Sequence, residues 1–421
     1  MQKKLIALAV ASALTVPAVA LADTGNVTIY GNANVSYDFV DSGTGTNVPA
    51  AVGGTAVSGV RSQRVSSNVS AIGLKGSEDL GGGLTAVWQV EQGVDIGGAS
   101  GATNGFGTQN TFVGLSSGSI GTFVLGRHDT PYKIATRGLD QFGNGIADNR
   151  SLMGQSSSSI AFRDTGTAFD GRQGSVIAYI SPAMAGLTVA VGHVNLNQTL
   201  GVSQSLATDP KMSAWSLAGL YGNGPFFASL AYEAHDLGNF LTVAGNKEKA
   251  WKLGLGYTQD LFNVGLAYEK TSDDLGAVCG TAVGMGNPEL APFAAAINST
   301  AGSDCAGHSA WYLGGKYNIS ASDAVKLSYS RAGNLARLAA MGLNASANQW
   351  AVGYDHAMSK RTTVYALYTR LNNNADAKYG LSGNASAADG VGAFGGNPAG
   401  NTVAGYGADP SAVSIGLKHS F

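Results

Sequence analysis

The sequence predicts an all-β protein, a 16-stranded antiparallel transmembrane β-barrel, and three observations carry that prediction. Apolar and polar residues alternate in runs of about ten, as in strands with one apolar and one polar face. The links between runs alternate short and long, as in barrels with tight turns at one end and long loops at the other. Charged residues make up only 12% of the 421, against about 25% in ordinary globular domains, and the 61 glycines and 10 prolines follow no collagen-like period.

The first 22 residues read as a signal peptide. Lys3 and Lys4 form its positive start, Leu5 to Val16 its apolar core and Ala20-Leu21-Ala22 its cleavage site, leaving a barrel domain over residues 23–421. The apolar core is roughly a dozen residues, short of the ~20 a membrane helix needs, and no longer apolar run follows. Its removal takes away two lysines and no acid, moving the formal charge from −2 to −4. Such mild acidity argues against a nucleic-acid partner, which would need a basic face.

Strand-like runs follow near 26–40, 62–77, 84–94, 108–117, 121–131, 173–181, 187–197, 211–222, 225–237, 248–259, 261–271, 308–319, 323–333, 346–358, 361–372 and 410–421. The alternation is plain in the second half of the chain. Trp251, Leu253, Leu255 and Tyr257 stand against Lys252, Gly254, Gly256 and Thr258, and Phe262, Val264, Leu266 and Tyr268 against Asn263, Gly265, Ala267 and Glu269. Val413, Ile415, Leu417 and Phe421 oppose Ser414, Gly416, Lys418 and Ser420 in the last run. Short links such as Asn223-Gly224 and Ser359-Lys360 alternate with long ones at 41–61, 95–107, 132–172, 198–210, 238–247, 272–307, 334–345 and 373–409. Lipid leaves no backbone group unsatisfied, so such a sheet must close. Trp88, Trp215, Trp251, Trp311 and Trp350 fall inside strands, and Tyr30, Tyr221, Tyr257, Tyr317 and Tyr368 fall toward strand ends, as interfacial girdles require.

Chemical motifs are sparse. Gly114-Leu115-Ser116-Ser117-Gly118 has the Gly-x-Ser-x-Gly spacing but runs from strand to strand, not from strand to helix as a nucleophile elbow must. Gly81-Gly82-Gly83 precedes no helix and reads as a turn, not a phosphate loop. The six histidines show no paired spacing and are expected at solvated strand and loop ends. Asp273, Asp274 and Asp304 could attract Ca²⁺, though a solvated loop is the default. Cys279 and Cys305 lie in one Gly/Ala-rich stretch and suit a disulfide staple in an oxidising compartment rather than metal or redox chemistry. No cofactor and no catalytic constellation are expected.

Several segments resemble the Gram-negative general porins of the neisserial and related type. They are Ile29-Tyr30-Gly31-Asn32, the stretch from Gly73 to Leu84, Phe112-Val113-Gly114-Leu115, Leu125-Gly126-Arg127, Tyr179-Ile180-Ser181-Pro182 and Gly416-Leu417-Lys418-His419-Ser420-Phe421. The resemblance implies a homotrimer in the outer membrane, exported through the Sec pathway, contacting outer-membrane lipid and lipopolysaccharide and passing small hydrophilic solutes and ions. It implies that the third long loop folds into the lumen, where Asp140, Asp148 and Asp164 would face Lys75 and Arg127 on the wall. Phe421 would be read by the barrel-assembly machinery. Family arginines are replaced by Ala71, Gln109 and Ala178, which thins the basic wall. The inward set is mixed, Lys75, Lys252, Lys316, Lys326 and Lys418 against Glu91, Glu233, Glu269 and Asp355, so selectivity should be weak and its sign open. A passive pore leads over an adhesin or receptor using the long loops, and over a barrel enzyme, for which no Ser/His or Asp/His pairing is visible.

Overall fold

A computed structural model describes residues 26–47, 53–97, 106–154, 168–196, 212–238, 247–279, 299, 302–381 and 405–421. The expected signal peptide and Asp164 lie outside these residues. The sheet consists of β1 (Asn26–Asp41), β2 (Arg61–Ser67 continued by Ala71–Gly81), β3 (Leu84–Gly93), β4 (Thr111–Ser117), β5 (Gly121–Asp129), β6 (Arg172–Ile180), β7 (Leu187–Asn195) and β8 (Ser213–Asn223). It goes on through β9 (Phe226–Asp236), β10 (Lys247–Thr258), β11 (Phe262–Asp273), β12 (Ser309–Asn318), β13 (Asp323–Ala332), β14 (Ala347–Ala357), β15 (Thr362–Asn373) and β16 (Ser411–Ser420). Each strand pairs antiparallel with the next, and β1 closes on β16 in a ladder from Asn32↔Ser420 to Asp41↔Ser411. Among the described residues the barrel sheet has no free edge, which is what lets a sheet sit in hydrocarbon.

The predicted strands are all present, and alternation hides a break in two of them, β6 at Ser175 (φ +51°) and β2. Between its two ladders β2 bulges at Asn68–Ser70, with Val69 at φ +55°. A bulge inserts a residue and so exchanges the faces. Before it Ser62, Arg64 and Ser66 share the lumen parity of their β1 partners, and after it Ala71, Gly73 and Lys75 do. At the short-turn end, Gly81, Gly82 and Gly83 all have positive φ, a conformation glycine adopts without penalty, and carry the chain from β2 to β3.

The lipid face is recognisable by exposed apolar side chains such as Ile29 (65%), Leu327 (61%) and Trp215 (54%). Toward the long-loop end, Trp215, Tyr232, Trp251, Tyr268, Trp311, Tyr329, Trp350 and Tyr368 form a belt over β8–β15, with Tyr232↔Trp251, Tyr268↔Trp311 and Tyr329↔Trp350 as direct cross-strand partners. Tyr30 corrects the girdle expectation. It stands on the lumen parity of β1, opposite Gly73, and its hydroxyl donates to Glu91 Oε2 at 2.8 Å.

The segment after β5 begins with helix α1 (Pro131–Arg137), which has Pro131 in its first turn and Thr130 as its cap, Oγ1 accepting from the Lys133 N–H at 3.3 Å. Toward the long-loop end, Ile146 and Leu152 of this segment join Leu237, Leu275, Leu335, Leu371 and Tyr379 in one apolar cluster.

Candidate functional site

The chain after β5 crosses the lumen on a track of small residues. Pro131 lies against Gly192 of β7, the Tyr132 N–H donates to Ser216 Oγ of β8 at 2.9 Å, and Ser229 Oγ of β9 donates to the Ala135 carbonyl at 2.6 Å. Leu139 then rests on Gly254 and Gly256 of β10 and Gly265 of β11. A side chain at Gly265 would lie 2.8 Å from the Leu139 carbonyl oxygen and 2.9 Å from its Cβ. Beyond it the Gln141 N–H donates to Tyr312 Oη of β12 at 2.9 Å, and the Phe142 ring sits 4.8 Å below Lys326 Nζ of β13. The glycines that alternate with apolar residues in β10 and β11 are thus a bed for this loop, which narrows the lumen from one side.

The loop holds its own shape with charges. Arg137 grips Asp148 with a two-pronged contact, Nη1 reaching Oδ1 at 3.0 Å, while Arg150 Nη2 lies 3.2 Å from Asp148 Oδ2. Asp140 accepts from the Phe142 and Asn149 N–H groups at 2.9 and 3.0 Å, with Arg137 3.7 Å away. Both carboxylate side chains are fully buried, so these two acids brace the loop from within, rather than presenting bare charge to the lumen. The two arginines hold Asp148 well below the usual carboxylate range; burial, and then the neighbouring Asp148 charge, push Asp140 up to about 6.

A pH dependence follows from that shift. The packed loop binds a proton at Asp140 more readily than an unpacked chain would, so this contribution to stability grows as pH falls through about 6 and is lost as pH rises through it. Acidification therefore changes charge without loosening the loop. At roughly 10 Å in water one charge is worth about 0.4 kcal/mol, or roughly twofold in an ion permeability ratio. The reversal potential in a KCl gradient should move toward anions between pH 7 and pH 5. Asp140→Asn should be anion-shifted at pH 7 and show a smaller change across that range; a variant whose change equals that of the wild type would place the responsible group elsewhere.

The wall residues separate into two groups. Lys75 lies on the lumen face, its Nζ 5.0 Å from the Tyr30 ring centroid. Arg127 shares the parity of lipid-facing Phe123 and Leu125, and its Nε donates to the Thr108 carbonyl at 2.9 Å near the long-loop rim. These two are not brought together with the loop acids. Several charges that alternation assigns to the pore are sealed from it. Lys252, Glu233 and Glu269 do point inward, but each is fully buried beneath the loop. There Lys252 Nζ meets Asp170 Oδ1 at 2.5 Å and Glu269 Oε2 at 3.2 Å, beside His235, which lies 2.9 Å from Glu233 and 2.6 Å from Glu248. Toward the short turns, Lys75, Lys316 and Lys418 remain on the lumen side and form no ion pair among the described residues, whereas Lys326 pairs with Asp355 at 2.8 Å.

The histidine expectation fails at three positions. His128, His235 and His308 are 6%, 1% and 2% exposed, because the lumen loop and rim segments cover the strand ends that periodicity reads as solvated. The oxygens of Asp273 and Asp304 are taken up by backbone N–H groups, among them Leu275 and Cys305 for Asp273 and Gly307 for Asp304. Cys279 and Cys305 form a disulfide across 26 residues of chain between β11 and β12. Sequence reading missed Arg137, Arg150, Tyr132 and Asp170. The available signal was the density of paired signs within 129–150, where Asp129, Lys133, Arg137, Asp140, Asp148 and Arg150 recur.

Residues 7–377 match the family model described as Gram-negative porin. The chain is 28% identical to an outer membrane porin protein of Bordetella pertussis over 323 residues, covering 73% of this chain and 78% of that one. It is also 28% identical to outer membrane porin protein 32 of Delftia acidovorans over 425 residues, covering 100% of both. Among solved structures, an anion-selective porin from Comamonas acidovorans superposes with a TM-score of 0.65 at 23% identity, covering 94% of this chain and 100% of that one. At that identity the likeness is one of fold.

Proposed function

The chain belongs to the Gram-negative porin family and forms an outer-membrane diffusion channel, and on that premise we propose that it passes small hydrophilic solutes with a modest preference for anions, as a homotrimer. The observation that carries the preference is the sorting of inward charges by the lumen loop. Of the inward acids, Glu233 and Glu269 lie behind the loop with Lys252, Asp355 is paired with Lys326 and Glu91 is held by the Tyr30 hydroxyl, while Asp140 and Asp148 are matched by Arg137 and Arg150. Lys316 and Lys418 face the lumen side and form no ion pair among the described residues, and Lys75 lies over the Tyr30 ring, whose hydroxyl occupies the neighbouring Glu91. An excess of fixed positive charge along a water-filled wall favours anions.

The homotrimer reading is supported by the gap in the aromatic belt. On β2–β5 the outward positions toward the long loops carry Gln63, Gln92, Thr111 and Arg127, where β8–β15 carry tryptophan and tyrosine. Polar side chains in place of the aromatic belt suit a face covered by further copies of the chain. The family's channel proteins are not enzymes, and the adhesin reading draws support from no residue described here. Lipopolysaccharide remains part of the proposal as the neighbour of the aromatic belt.

Reconstitution in a planar bilayer tests the reading. We expect ohmic steps in groups of three and a reversal potential in a KCl gradient with anion sign. Single unitary steps would overturn the homotrimer, a cation sign the charge assignment, and absence of conductance the channel itself.

A further inference from the structure

We propose that the Lys252–Glu269 pair is the latch that holds the constriction loop against the wall, so that two residues outside the aqueous lumen set the size limit of the channel. The inference rests on the diffusion-channel reading and names the positioning residues for it. Lys252 and Glu269 are direct cross-strand partners on β10 and β11, with side chains 1% and 0% exposed and 3.2 Å apart. Partners set directly opposite one another could satisfy themselves without the loop. Here both turn their remaining capacity toward it.

Three well-separated points of the loop meet at this node. Near its start, Tyr132 Oη donates to Glu269 Oε2 at 2.9 Å, and the Tyr132 ring lies 4.3 Å from Lys252 Nζ. Further along, the Gly154 N–H donates to Glu269 Oε1 at 2.9 Å. Near its end, Asp170 accepts from Lys252 Nζ at 2.5 Å. The other ties of this stretch to the wall, the Ser216, Ser229 and Tyr312 hydrogen bonds and the contacts of Leu139 with the glycine bed, involve no charge. The node is different. Removing the ammonium leaves the buried Asp170 and Glu269 carboxylates facing each other without a cation between them, with Glu233 also buried nearby, and burial of unpaired charge is strongly unfavourable. The loop relieves that cost by swinging into the lumen and letting water reach both carboxylates. Neutralising Glu269 is milder, because Lys252 keeps Asp170. Removing only the Tyr132 hydroxyl is milder still.

The test uses the full chain in lipid, comparing wild type with Lys252→Met, Glu269→Gln, Tyr132→Phe and the charge-retaining Lys252→Arg. Single-channel recording reads the steadiness of the open current, and liposome swelling with neutral sugars of increasing size reads the size limit. We expect loss of steady current and a displaced size limit in the order Lys252→Met, Glu269→Gln, Tyr132→Phe, with Lys252→Arg close to wild type. The thermal unfolding of the barrel should not move, which a merely structural role for the pair would not predict. Wild-type current and size limit in both Lys252→Met and Glu269→Gln overturn the latch. Should Lys252→Met fail to assemble, Glu269→Gln decides: an unchanged size limit and current overturn the proposal. A wild-type protein that does not conduct overturns the channel reading instead.

Discussion

Gly265→Val is expected to displace the constriction loop from its bed while leaving the barrel closed. The position is on the lumen face of β11, where even a methyl group would stand 2.8 Å from the Leu139 carbonyl oxygen and 2.9 Å from Leu139 Cβ. Those neighbours are backbone and the root of a side chain, so they cannot step aside as a flexible tip would. Overpacking of this kind costs roughly 1–3 kcal/mol, and the cheapest relief is movement of the loop, since the wall is held by ladders to β10 and β12. The open-channel current should become larger and noisier, and protease added from the long-loop side should cut near residue 140. Gly315→Ala is the control: it lies on the outer parity of β12, where the nearest contact would be an ordinary 3.5 Å. An unchanged current in Gly265→Val would mean that the loop does not depend on this bed.

Converting Lys75, Lys316 and Lys418 together to glutamine should abolish the anion preference. None of the three is in an ion pair among the described residues, and Glu91 near Lys75 keeps its Tyr30 hydrogen bond, so their removal should leave folding intact. Each charge acting over about 10 Å of water contributes ~0.4 kcal/mol, giving about 1.2 kcal/mol in all and roughly eightfold in the permeability ratio at low salt. Screening shrinks this as ionic strength rises, because the Debye length falls to about 3 Å at 1 M. Reversal potentials measured at low and high KCl check both the sign and the salt dependence. A triple variant with wild-type reversal potential would show that other charges set the selectivity.

The reach of the sequence differs sharply between barrel and constriction. Strands such as β10 and β11 are legible because period-two alternation is a local property: Trp251, Leu253 and Leu255 meet lipid whatever the rest of the chain does. The β2 bulge is less legible. Val69 is β-branched at a positive φ that its type resists, and only pairing with β1 on both sides of it enforces the change of face. Lys252, Glu233 and Glu269 show the same limit. Parity sends them inward correctly, but parity carries no information about what covers them, and the covering segment comes from more than 80 residues away in the case of Asp170. Asp140 and Asp148 were visible as acids on the right loop. That Arg137 and Arg150 on that same loop turn inward to neutralise them depends on its three-dimensional path.

By itself, then, the sequence determined a closed 16-stranded barrel, with its lipid face, its turns and its family. Those follow from short-range alternation and from the rule that lipid tolerates no unpaired backbone. The tertiary structure alone decided which inward charges meet water, which are sealed beneath the lumen loop, and where that loop is latched. Those outcomes depend on contacts between segments distant in the chain, where electrostatics and packing act through space and leave no periodic trace.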